Sequence, residues 1–161
     1  MDAIYIETSI VSHASAWPSR NPATAALQDQ AKRWLAEEAF KYDLVTSQFV
    51  IDEVSRGDPD AAEERLKLLQ DVRVLLPDAE VERVADEIIS HSLMPAKARL
   101  DALHVASAAV GRVEYLLTQN CRHIANAIEL PRVYDLLDDL GFPRLLICTP
   151  AEFLGDPDNG S

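Results

Sequence analysis

Cysteine is scarce in this sequence, with only Cys121 and Cys148 among 161 residues. Two cysteines make no disulfide framework, and neither sits in the Cys/His spacing of a zinc site. The expected compartment is therefore reducing and cytoplasmic. The opening residues Met1 to Glu7 show no basic region followed by a long apolar run, so no signal peptide is expected. No apolar run is long enough to span a bilayer as a helix, which excludes a membrane role of that kind. Positive charge is also short: 15 lysines and arginines face 27 aspartates and glutamates, for a net charge of −12. A protein built to coat duplex nucleic acid carries a net basic face. Any nucleic-acid contact here must be local, with a divalent cation offsetting carboxylates. The same balance suits a basic partner, or simply keeps a domain in solution. Internal repeats, low-complexity segments and linkers are missing as well. One domain over residues 1–154 is expected, followed by a flexible tail over 155–161.

What is present reads as strands alternating with helices. Ala3 to Ile6 is a short apolar run of strand formers, and Tyr42 to Thr46, Val72 to Leu76, Val113 to Thr118 and Leu145 to Cys148 are similar. Helical spacing fills the gaps, over Ile10 to Ala16, Ala23 to Phe40, Gln48 to Ser55 with Ser47 as N-cap, Pro59 to about Leu69, Ala79 to His91 and Pro131 to Leu140. Asn120 to Ala127 reads as a turn running into a short helix. The alternation predicts an α/β fold, a three-layer α/β/α sandwich around a mainly parallel sheet of about five strands.

Met94 to Gly111 is the most distinctive stretch. Pro95 stands at a first-turn position and Gly111 at a helix stop. After Leu100 the segment is apolar on nearly every face, which marks a helix inside a protein. Asp101 sits in it, and a buried carboxylate needs a cap, a cationic partner or a metal. Ligands of open parallel sheets bind at the C-terminal strand ends. Glu7 ends the first strand, Glu53 lies on the helix after the second, Asp101 on the helix before the fourth, and Asn120 just beyond it. Oxygen donors in that number suit magnesium or manganese. Each also has a plain reading. Glu7 can be a solvated strand-end acid, Glu53 an exposed helix acid, and Asn120 an N-cap. His104, three residues after Asp101, reads as packed rather than ligating. Arg56, Lys97, Arg99 and Arg122 offer phosphate contacts or are merely solvated. Trp17 and Trp34 read as core or partner-groove residues.

The wording at these places is Glu7-Thr8-Ser9 after a strand, Ser47-x-x-Val50-x-x-Glu53, Asp101-Ala102-Leu103-His104-Val105-Ala106, and Leu116-Leu117-Thr118-x-Asn120. It resembles the PIN-domain family, and within it the VapC-type toxin nucleases, from Ile4 to about Leu154. The resemblance implies a metal-dependent endoribonuclease, the toxin of a type II toxin–antitoxin pair, acting on RNA, restrained by a cognate antitoxin and forming a homodimer. It implies Glu7, Glu53 and Asp101 as ligands to magnesium or manganese, with Glu7 longer than the usual aspartate. Asn120 falls where a fourth acid is usual and completes the catalytic set, and Arg122 falls where a further aspartate is common. Thr8, Ser9, Thr118, Arg122 and His123 are implied as substrate or supporting positions. The loss of charge at Asn120 leaves an alternative, a PIN fold kept as a nucleic-acid or protein binding module with little catalysis. A phosphoacceptor receiver domain is not matched, because its paired acids and late lysine are missing.

Overall fold

Side-chain caps start several of the helices. The computed structural model describes residues 1–155, and the expected tail beyond Gly155 lies outside them. The first strand, β1 (Ala3–Ile6), runs into Glu7, whose carboxylate caps α1 (Thr8–Ser15) by accepting from the Ser9 N–H. Asn21 caps α2 (Pro22–Glu37), and its Oδ1 accepts from Thr24 N at 3.1 Å. After β2 (Asp43–Thr46), Ser47 caps α3 (Gln48–Val54). Asp58 then caps α4 (Pro59–Leu68), with Pro59 in the first turn, where its missing N–H is not needed. The chain continues through β3 (Arg73–Val74), α5 (Glu80–Ser90), α6 (Arg99–Val110), β4 (Tyr115–Leu117), α7 (Leu130–Asp139) and β5 (Leu146–Cys148).

The five strands form one all-parallel sheet in the order β3-β2-β1-β4-β5. The expected α/β/α sandwich is therefore observed. Helices cover the sheet, with α1 packed against α2 and α4, α5 against α6, and α3 touching α1, α4 and α6. Tyr5 reaches His104 of α6, whereas Tyr115, paired in register with Ile4, joins the aromatic group around Trp34 of α2. Connections leave β1 and β4 in opposite directions, so the crevice of the fold opens at their C-terminal ends. No described helix is long and apolar enough to cross a membrane.

Two expectations need correction. The segment after Met94 is not one helix: Pro95 precedes a short 3-10 turn over Ala96–Ala98, and α6 begins at Arg99. Residues after Asn120 form turns rather than a short helix. Asn126 breaks any helix there, since its side chain donates to Arg122 O and accepts from Ile128 N, both at 3.0 Å.

Helix ends follow one pattern with three different residues. Gly141 (φ 95°) ends α7, with Phe142 N donating to Leu137 O at 2.7 Å and Gly141 N to Asp138 O at 3.0 Å. Ser92 (φ 58°) and Arg112 (φ 54°) take the same left-handed place after α5 and α6. Gly111, expected as the stop of α6, has an ordinary φ of −70°. It is demanded by space instead, because an added Cβ would lie 2.8 Å from a Leu75 methyl and 2.9 Å from Ser107 O. Left-handed backbone costs a residue with a Cβ ~1–2 kcal/mol. Gly141→Ala is therefore expected to lower the melting temperature and Ser92→Gly to raise it, as read by thermal circular dichroism.

Candidate active site

The crevice is built from the residues that follow β1 and β4. Glu7 stands at the C-terminal end of β1 and is buried, with 3% of its surface exposed. Its carboxylate accepts from Ser9 N at 2.5 Å and from the Thr118 hydroxyl at 3.2 Å. Thr118 follows β4, and its Oγ1 also accepts from Asn120 N at 3.0 Å and lies 3.4 Å from Ser9 Oγ. Ser9 Oγ in turn accepts from Gln119 N at 2.7 Å. The two strand ends are thus laced together by short hydroxyl side chains around one carboxylate.

Glu53, on α3, comes in from the neighbouring strand's helix. Its Oε1 accepts from the Thr8 hydroxyl and from His104 Nε2, the latter at 3.0 Å. His104 is 1% exposed and its Nδ1 lies 2.9 Å from the Tyr5 hydroxyl. That hydroxyl is 2.6 Å from Ser47 Oγ. Asp101 opens α6 and is partly exposed, so the buried carboxylate expected here is corrected. Only the helix beyond it, from Ala102 to Ala109, is buried on every face. Asp101 has a polar partner: His123 Nδ1 donates to its Oδ2 at 2.9 Å. Asn120 accepts from His123 N through its Oδ1 at 3.1 Å, which makes it a turn former. Asp101, His123, Asn120, Thr118 and Glu7 therefore form one hydrogen-bonded series across the crevice.

The two glutamates carry opposite electrostatics. Burial pushes the Glu7 carboxyl above the usual carboxylate range, and Glu53 adds to this, against the opposing pull of His104 and the Ser9 N–H. Burial also raises Glu53, but hydrogen bonds from His104 and Thr8, with Arg56 nearby, outweigh it and hold Glu53 below that range. The consequences for stability differ in sign. Glu53 contributes stability above the ordinary carboxylate pKa, lost as pH falls through its lowered value. Glu7 is the reverse: its folded state favours the proton, so stability is fullest in acid and falls as pH rises through its raised value. Glu7→Gln is thus expected to raise the melting temperature of the metal-free protein at pH 7, with the gain vanishing in acid near pH 4. Melts across that range check it.

The four expected oxygen donors do not form a ready cage. Among the described residues, no three His, Cys, Asp or Glu side chains are spaced to hold a metal ion. Glu53 is turned to His104, Asp101 to His123, and the Asn120 oxygen to backbone. The donor chemistry still fits a hard divalent cation. Three carboxylates edge the crevice, and the buried one is penalised for its charge, a penalty that a cation offsets. Arg122 is exposed. Arg99 is paired with Asp86, away from the crevice. Trp34 is core, and Trp17 is 92% exposed.

Tyr5 and Gln119 are not among the residues expected from the sequence, and Ser47 is expected only as a helix cap, which it is. A period of two sets Tyr5 beneath Glu7 on the same side of β1, and this is the signal that was available. Gln119 donates to Leu27 O at 2.9 Å and accepts from His13 Nδ1 at 2.6 Å, which no local pattern announces.

Comparison with curated proteins finds no match. Residues 4–129 match the PIN domain, a span that runs from β1 past β4 and holds every carboxylate just described. The chain therefore belongs to the PIN domain family, whose members are generally metal-dependent nucleases.

Proposed function

We propose that this chain is a divalent-metal-dependent endoribonuclease, the VapC-like toxin of a type II toxin–antitoxin pair, with residues 1–154 as its single domain. The observation that carries the reading is the meeting of Glu7, Glu53 and the Asp101 series at the crevice of a PIN fold. Glu7, Glu53 and Asp101 would hold magnesium or manganese. When bound, such an ion activates water and neutralises a phosphodiester. The chain's own residues do the rest. Ser9 and Thr118 fix Glu7, Thr8 and His104 fix Glu53, and His123 holds Asp101. His123 and the exposed Arg122 stand on the turn beside Asp101, where they meet the RNA backbone. A small antitoxin restrains the site, and the active form is a homodimer.

A second reading, a binding module with weak catalysis, draws on Asn120. Its oxygen is spent on His123 N, and it adds no charge. One experiment separates the two. Structured RNA is incubated with the purified chain and manganese, magnesium or chelator. Manganese-dependent cuts absent with chelator support the nuclease. RNA retained but uncut under every condition overturns it in favour of the binding module.

A further inference from the structure

The crevice rests on a buried polar chain of which the roles above use only the last member, His104. Ser47 caps α3, Tyr5 lies in the middle of β1, and His104 lies in the middle of α6. The three are 4%, 0% and 1% exposed. They join in series, Ser47 Oγ to Tyr5 hydroxyl at 2.6 Å, Tyr5 hydroxyl to His104 Nδ1 at 2.9 Å, and His104 Nε2 to Glu53 Oε1 at 3.0 Å. Three separate elements, 42 and 99 residues apart from Tyr5, meet on one phenol.

The direction of every proton in the series follows from satisfying buried polar groups. Ser47 Oγ accepts from Val50 N at 3.4 Å as the helix cap, so its own proton needs an acceptor. Among the described residues that acceptor is the Tyr5 oxygen. The Tyr5 proton then has His104 Nδ1 to go to, which must present a lone pair. The imidazole therefore carries its proton on Nε2 and donates it to Glu53, a carboxylate that only accepts.

We infer that Ser47, Tyr5 and His104 form a one-way hydrogen-bond chain that fixes the tautomer of His104 and aims the Glu53 carboxylate into the crevice. His104 and Tyr5 are positioning residues: neither touches the crevice directly, and both act through Glu53. The inference rests on the nuclease reading for what Glu53 holds, but the chain itself stands on its geometry. It also explains a polar side chain in the most thoroughly buried helix among the described residues. A leucine at 104 would fill the space and leave Glu53 with only the Thr8 hydroxyl.

Two measurements test this. In metal-free protein, 15N-histidine NMR is expected to show His104 with its proton on Nε2, and Tyr5→Phe to shift the Nδ1 resonance as that nitrogen loses its donor while Glu53 keeps the proton on Nε2. A proton resident on Nδ1 in the unaltered chain overturns the chain's direction. Manganese affinity, read by electron paramagnetic resonance of the free ion, gives the second. His104→Leu is expected to weaken it ~10–100-fold, the scale seen when a ligand loses its outer hydrogen-bond partner. His104→Gln, whose amide can donate to Glu53, is expected to restore most of that loss. Tyr5→Phe, nearly isosteric, falls between the two. Unchanged affinity in folded His104→Leu overturns the positioning role. If the unaltered chain binds no manganese, the metal-dependent nuclease reading fails, and with it the positioning role toward a metal. The NMR result still decides the chain.

Discussion

Asp101→Asn is expected to lower manganese-dependent RNA cleavage on the order of 10²–10³-fold, the scale of losing one preorganised electrostatic group. The substitution keeps the shape of the side chain and removes only its charge. His123 Nδ1 can still donate to the remaining carbonyl oxygen. Asp101 sits in the first turn of α6 and is partly exposed, so the fold does not depend on its ionisation. Its negative charge near a helix N-terminus contributes only ~0.3–1 kcal/mol to stability. A large fall in cleavage with an unshifted melting curve therefore assigns the loss to the site. Asp52→Asn is the matched control. Asp52 neighbours Glu53 in sequence, but it accepts from Gln48 on the exposed side of α3 at 2.8 Å, away from the crevice. Cleavage by Asp52→Asn should match the unaltered chain. Full activity in Asp101→Asn would remove Asp101 from the centre of the proposed site.

Trp34→Ala is expected to be the most damaging single change to stability, costing ~3–5 kcal/mol. Trp34 is fully buried on α2. Its ring lies 6.0 Å from Tyr42, stacked at 23°, and 6.0 Å from Phe153, edge-on at 79°. Tyr115 of β4 closes the group, 5.9 Å from both Tyr42 and Phe153. One indole thus ties α2 to the entry of β2, to β4 and to the turn after β5. At this chain length the loss corresponds to a fall of roughly 6–20 °C in melting temperature. Trp34→Phe should be milder than the lost area suggests. The indole Nε1 is buried without a hydrogen-bond partner among the described residues. An unpaired buried donor costs ~1–3 kcal/mol, and phenylalanine removes it. A melting temperature for Trp34→Ala within a degree or two of the parent would show that the aromatic group is not the keystone described.

The periodic parts of this fold were legible in the sequence. Strand β1 and the helix after Ser47 appear within a residue or so of where alternation and capping put them, because hydrophobic period and caps are local signals. The parallel character of the sheet follows from the alternation of elements, whereas its strand order does not. Asp101 was misjudged as buried because periodicity describes the helix beyond it, whereas its own exposure depends on where α6 begins. That start is set by a 3-10 turn that the residues from Ala96 to Ala98 do not announce. Gly111 was read as a stop for its backbone freedom, yet its place is set by Leu75, thirty-six positions earlier, which no local rule can see. Among the candidate site residues, Glu7 was legible as a strand-end acid. The bond between His104 and Glu53 was not, since it joins elements 51 residues apart.

The same long separations set the order in which the molecule can assemble. β1 is made first, and one of its two neighbours is β4. Ala3 and Glu114, joined by a hydrogen bond at the foot of these strands, are 111 residues apart. At ordinary rates of translation that interval lasts roughly 5–20 s. For that time Ile4, Tyr5 and Ile6 emerge from the ribosome with one edge unpaired, a stretch that chaperones or other chains can capture. The crevice straddles β1 and β4, so Glu7 has no Thr118 and Glu53 no His104 until most of the chain exists. The crevice is thereby incomplete in every nascent copy until β4 and the turn after it have emerged.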